Sequence, residues 1–75
     1  MHYSTYLLRH TRRAIGRNIY QQRLRYHMTL EKLARLADVP LWQLDQYEIG
    51  KNEIKLDELL RIACVFSLGV EKLFV

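Results

Sequence analysis

The chain contains very little that would interrupt a helix. In 75 residues there is one proline, Pro40, and three glycines, Gly16, Gly50 and Gly69. Between these breakers apolar residues return at the spacing of a helix rather than alternating as in a half-buried strand. From about residue 5 to 26, Leu8, Ile15, Ile19 and Tyr26 share one face, with Arg9, Arg13, Arg17 and Arg25 around the rest. The pattern predicts an all-α chain.

The later segments carry their own boundaries. Thr29 can offer its hydroxyl to the open amides of a helix over about 30–37, and Glu31 suits the positive end of its dipole. Leu30, Leu33, Ala34 and Ala37 give that helix an apolar side. Asp38 stands where a left-handed residue would end it, and Pro40 can open the next helix without missing an amide. That helix, about 40–49, places Leu41, Leu44 and Tyr47 on one side and Gln43 and Gln46 on another, and Gly50 stops it. After the loop Lys51 to Lys55 comes an apolar segment with Leu56, Leu59, Leu60, Ile62, Ala63 and Phe66, expected to be the most buried. Cys64 within it reads as a small buried hydrophobe. Ser67 to Gly69 turn the chain, and Val70, Leu73 and Phe74 form a last short helix that can close the core.

The charge is divided sharply. Residues 1–30 hold six arginines and no acid, whereas residues 31–75 hold six bases and eight acids, giving +4 for the whole chain. Six bases without a neighbouring acid exceed what solubility requires and favour a polyanionic partner, although a solvated face is the commoner fate of surface charge. The length allows one small domain and rules out a large enzyme core. One cysteine makes neither an internal disulfide nor a metal cluster. No apolar run reaches the ~18–20 residues that span a bilayer, so no membrane association is expected and a cytoplasmic location fits. An acid-free, Arg-rich start also resembles an organelle transit sequence, but the helical pattern through it argues against removal. His2, His10 and His27 are far apart, and no glycine-rich phosphate loop or nucleophile elbow is present, so catalytic residues, a metal site and a cofactor are all unexpected.

Two short helices joined by three or four residues, the second closed by Glu48-Ile49-Gly50, have the spacing of a helix-turn-helix. The wider run is more specific: Ile15-Gly16, Leu33-Ala34, Val39, Leu44, Tyr47-Glu48, Gly50, Leu56, Leu59, Ile62-Ala63 and Leu73-Phe74. In this order and spacing, over about residues 15–74, it resembles the Cro/repressor-type, lambda-repressor-like helix-turn-helix family. The resemblance implies a five-helix DNA-binding domain over 14–75, preceded by a basic extension or arm over 1–13.

It also implies roles. Leu41, Trp42 and Gln46, with Gln43 nearby, occupy base-reading positions. Lys51, Asn52 and Lys55 lie in the loop that touches phosphates, and Arg23 and Glu48 occupy the places of an ion pair tying the first helix to the third. Several positions depart from the family pattern: Leu30 and Pro40 replace polar residues, Leu41 and Trp42 replace polar readers, and Asp38 replaces a glycine. The reading helix has two acids, Asp45 and Glu48, and no base.

Each candidate has a chemical use and a plainer one. Gln43 and Gln46 can pair with adenine N6 and N7, or can simply be solvated. Leu41 and Trp42 can contact thymine methyls, or can be packing anchors. Arg12, Arg13 and Arg17 can attract phosphate from the first helix. The function expected is a sequence-specific transcriptional regulator of bacterial, phage or plasmid origin, binding double-stranded DNA at a pseudo-palindromic operator as a homodimer. Val70, Leu73 and Phe74, together with Tyr3, Tyr6 and Leu7, are the expected dimer surfaces. With no room after Val75 for a fused sensor, no small-molecule ligand is expected. The rival expectation is an interaction module on the same scaffold, an antitoxin or accessory regulator whose Leu30, Leu41 and Trp42 bind a protein partner.

Overall fold

The computed structural model describes the backbone from Thr5 to Val75 and the side chains from Arg9 onward. Four α-helices, α1 (Thr5–Arg25), α2 (Leu30–Ala37), α3 (Leu41–Glu48) and α4 (Leu56–Val65), are followed by one 3-10 turn, Val70–Leu73, and no strand occurs among the described residues. The fifth element is therefore a single tight turn rather than an α-helix. Gly69 precedes it, and its four residues are too few to develop the longer hydrogen-bond ladder of an α-helix.

The helix ends follow local chemistry. Thr29 accepts a hydrogen bond from the Lys32 amide. Asp38 adopts φ 55°, ψ 52°, the left-handed conformation that ends α2, and its amide donates back to the Ala34 and Arg35 carbonyls. Pro40 sits just before α3 with φ −55°, the value its ring fixes in any case. Gly50 takes φ +75°, a region in which a side chain is strained.

The helices close around Ile15, Ile19, Leu33, Leu44, Tyr47, Leu59, Ile62, Phe66 and Leu73, all buried. Burial of each large aliphatic side chain contributes about 1.5–3 kcal/mol. Helix α1 packs on α3, α2 packs on both α3 and α4, and the 3-10 turn is held between α1 and α4. Asn18 fixes the end of the chain by donating from Nδ2 to the Leu73 carbonyl at 2.8 Å and to the Val75 carbonyl at 2.6 Å.

Three expectations change here, and one lies outside the described residues. The expected arm over 1–13 is, from Thr5 onward, the first part of α1, which runs unbroken past residue 14. Residues 1–4 and the side chains of Tyr6 and Leu7, and with them the dimer surface expected at Tyr3, Tyr6 and Leu7, lie outside the described residues. Leu73 cannot be a dimer surface, because it is fully buried in the core; Val70 is half-buried against that core, and only Phe74 of the three is exposed. Cys64 is exposed rather than buried, since α4 turns Leu59, Ile62 and Ala63 inward and leaves Leu56, Leu60 and Cys64 on its outer side.

Candidate nucleic-acid interface

Helix α3 is eight residues long, and the structure divides it by burial. Gln43, Leu44 and Tyr47 face inward. Leu41, Trp42, Asp45 and Ile49 face solvent, with Gln46 half-buried beside them. Trp42 is 64% exposed, so it is not a core anchor. Trp42 and Gln46 are four residues apart and share one side of the helix. Three of the four expected base-reading residues, Leu41, Trp42 and Gln46, are thus at least partly open.

Gln43 is the exception. It is only 9% exposed, and its Nε2 donates to the Tyr47 hydroxyl and to Glu58 Oε1, while the Tyr47 hydroxyl donates to the same carboxylate. With both Nε2 protons committed and the side chain buried, Gln43 has no donor to turn toward a base and belongs to the joint between α3 and α4. Every fully buried side-chain nitrogen and oxygen among the described residues has a partner, so the joint is closed. Glu58, a surface acid by its sequence, is what sequence reasoning missed here.

Burial raises the Tyr47 pKa above its usual 10.0, and the hydrogen bond to Glu58 raises it further. A folded-state value above the unfolded one means that this contribution to stability is full below about pH 10 and is lost as pH climbs through the folded value. Tyr47→Phe should therefore lower stability at neutral pH by about 1–3 kcal/mol and remove part of the alkaline decline. Urea unfolding midpoints from neutral to alkaline pH measure both effects; parallel curves for the two proteins would count against the network.

The orientation of α3 is set from the other side by α1. Arg23 Nε and NH2 donate to Glu48 Oε2 and Oε1 at 2.8 and 3.0 Å, while Arg23 NH1 donates to the Met28 carbonyl at 3.0 Å. The side chains are only 14% and 8% exposed. The hydrogen bond to Glu48 raises the Arg23 pKa, so its charge is fixed and committed to the fold. Arg61, which the sequence did not single out, does comparable work on α2: its Nε and NH2 donate to the Ala37 and Asp38 carbonyls at 2.8 and 3.1 Å. The signal that was visible is its spacing of four from Asp57, to which its NH1 donates at 3.2 Å.

Around this frame lie the bases. Arg13 packs so closely on the α3–α4 loop that a side chain on Gly50 would meet the Arg13 Cα at 3.1 Å. Arg17 lines a groove with Glu48 and Ile49, and Arg12 lines another with Glu53 and Ile54. The loop itself adds Lys51 and Lys55, both exposed, and half-buried Asn52. The structure therefore brings the arginines of α1 up to the loop after α3. Arg12, Arg13 and Arg17 make no salt bridge among the described residues, which leaves their charge available. No group of three or more His, Cys, Asp or Glu in position to hold a metal ion occurs among the described residues, nor any helix long and apolar enough to cross a membrane.

Comparison with known proteins agrees with this geometry. The fold is similar to that of the restriction-modification controller protein C.AhdI from Aeromonas hydrophila, with a TM-score of 0.81 at 21% identity, covering 84% of this chain and 96% of that one. Two structures of the clp gene regulator ClgR from Corynebacterium glutamicum are also similar, with TM-scores of 0.80 and 0.77 at 24% identity; each covers 84% of this chain, and they are covered to 67% and 82%. No curated protein is significantly similar in sequence. The helix-turn-helix family model matches residues 19–73, which takes in the Arg23–Glu48 pair, both short helices and the loop between α3 and α4. The chain belongs to the helix-turn-helix family of DNA-binding transcription regulators.

Proposed function

We propose that the protein is a sequence-specific regulator that binds a pseudo-palindromic operator as a homodimer, with α3 in the major groove and residues 14–75 as the binding domain. The observation that carries this reading is the placement of Trp42 and Gln46 on the open side of a helix locked by Arg23, Tyr47 and Glu58. A rigid reading helix is what discrimination between bases needs. In a two-fold dimer two such helices stand about one DNA turn, ~34 Å, apart.

Affinity and choice divide between different residues. Arg12, Arg13, Arg17, Lys51, Asn52 and Lys55 neutralise or bind phosphates, whereas Leu41, Trp42 and Gln46 contact base edges. Helix α3 has no base of its own and carries Asp45, so its approach to DNA depends on the positive residues beside it. A cytoplasmic location in a bacterial, phage or plasmid setting suits such a regulator.

The test compares affinity for duplex DNA at about 50 and 200 mM salt. Lys51→Ala should weaken binding to all sequences and flatten the salt slope by about one unit. Gln46→Ala should instead cost about 1–3 kcal/mol at one base pair and leave the slope unchanged. Equal effects of the two substitutions on every sequence would overturn the division. The exposure of Leu41 and Trp42 also favours a second reading, in which these residues bind a protein partner. That reading expects Trp42→Ala to abolish complex formation with the partner while Gln46→Ala changes nothing.

A further inference from the structure

Helix α4 carries none of the residues assigned to DNA, yet two of its polar side chains reach both helices of the helix-turn-helix. Glu58 and Arg61 stand three residues apart, the spacing that puts side chains on one face of a helix. Arg61 Nε and NH2 donate to the Ala37 and Asp38 carbonyls, which lie at the C-terminal end of α2, where a helix leaves its carbonyls without partners of its own. Its positive charge there also opposes the negative end of the α2 dipole. Glu58 Oε1 accepts from Gln43 Nε2 and from the Tyr47 hydroxyl, both on α3. Arg61 NH2 lies 4.0 Å from Glu58 Oε2, so the two anchors face each other across one turn of α4.

We infer that Glu58 and Arg61 act together as positioning residues: from α4 they fix α3 relative to α2, and through that angle they set the discrimination between bases. The inference rests on the operator reading proposed above, and it adds residues that touch no DNA. Helix α3 has particular need of such a brace. Its N-cap is Pro40, which supplies no side-chain hydrogen bond, and its backbone packs on α1 and α2 while hardly approaching that of α4. Side chains rather than close backbone packing therefore join α3 to α4. The residues that Glu58 holds are also the ones that matter for reading, since Gln43 directly follows Trp42 and Tyr47 directly follows Gln46. A rotation of α3 that released Gln43 and Tyr47 would swing Trp42 and Gln46 through the same angle. The Arg23–Glu48 pair ties α3 to α1 and leaves its angle to α2 to the residues on α4.

The test uses the full chain carrying Glu58→Leu or Arg61→Met, measured on the duplex that the wild type enriches from a random pool and on a scrambled duplex of the same composition. Each substitution should lower the ratio of the two affinities at least about tenfold, the worth of one good bidentate base contact. The affinity for the scrambled duplex and its salt slope should not change. Lost stability alone lowers both affinities together and leaves their ratio where it was. Glu58→Gln keeps an oxygen that can accept from Gln43 and Tyr47, and should restore most of the ratio. Arg61→Met, at a side chain that is 41% exposed, keeps the fold even where Glu58→Leu loses it. Amide hydrogen exchange adds a readout that needs no DNA: in both variants the Tyr47 and Glu48 amides should exchange at least about tenfold faster relative to that of Ile19 in α1. Unchanged ratios in both variants, or unchanged relative exchange, would overturn the positioning role. A wild type that enriches no sequence, with exchange in the variants faster as stated, would instead sink the operator reading and leave the brace in place.

Discussion

Gly16→Val should abolish the folded state, and Gly16→Ala should destabilise it by about 1–3 kcal/mol or more, the cost of forcing atoms into a filled space. Gly16 lies in the middle of α1, where a glycine has no helical advantage; alanine there would gain up to ~1 kcal/mol in an exposed helix. The position is not exposed. Here α1 crosses the end of α3 so closely that a Cβ would press into the carbonyl oxygens of Tyr47 and Glu48, the second at 2.8 Å. Both are backbone atoms of the helix that carries Trp42 and Gln46, so they cannot move aside as a flexible side chain would. With stability on the order of 4–11 kcal/mol for a chain of this length, the added methyls of valine consume most of the margin. Urea unfolding followed by circular dichroism decides the sign. An alanine variant as stable as the wild type would show that α1 and α3 do not meet as described.

Arg23→Ala should cost about 3–5 kcal/mol, because it leaves the Glu48 carboxylate buried without its counter-charge and takes a donor from the Met28 carbonyl. Glu48→Ala should cost a similar amount. An exposed pair of the same composition would be worth no more than about 1 kcal/mol, so the measured value separates the two cases. Replacing both residues, with Arg23→Met and Glu48→Leu, should recover much of the loss, since an apolar pair needs no compensation. On the proposed function the same single substitutions should also weaken DNA binding at all sequences, because the pair holds α3 against α1, which carries the arginines. Singles that each cost less than ~1 kcal/mol would place the pair in solvent.

Much of the fold is legible in local chemistry, because local chemistry sets the boundaries. The bounds of α2 follow from Thr29 and Asp38, whose own side chain and backbone perform the capping. Gly50 ends α3 because the chain must take a positive φ there. The division of α3 is less legible. Periodicity groups Leu41 with Leu44 and Tyr47, but the buried set is Gln43, Leu44 and Tyr47, because Glu58 arrives from α4, fifteen residues beyond Gln43, and draws its amide inward. A glutamine and a glutamate in a closed buried network look the same in sequence as two solvated ones. Leu73 and Cys64 misled for the opposite reason: Asn18 pulls the chain end onto α1, and the outer side of α4 carries leucines that the single chain does not bury.

The division of charge takes on a more definite meaning in three dimensions. One of the six arginines in the acid-free first thirty residues, Arg23, is consumed by the fold. Arg13 lies against the loop that carries Lys51, and Arg12 and Arg17 border the same stretch. In the proposed reading, attraction to a polyanion and choice among base sequences fall on adjacent but separate surfaces.

The most direct test of the operator reading is selection of bound duplexes from a random pool by the intact protein, repeated at two salt concentrations. The account predicts enrichment of one inverted repeat with half-sites about one helical turn apart, with lower overall recovery but the same motif at higher salt. Recovery of no motif at either concentration, with binding that depends on salt alone, would contradict it.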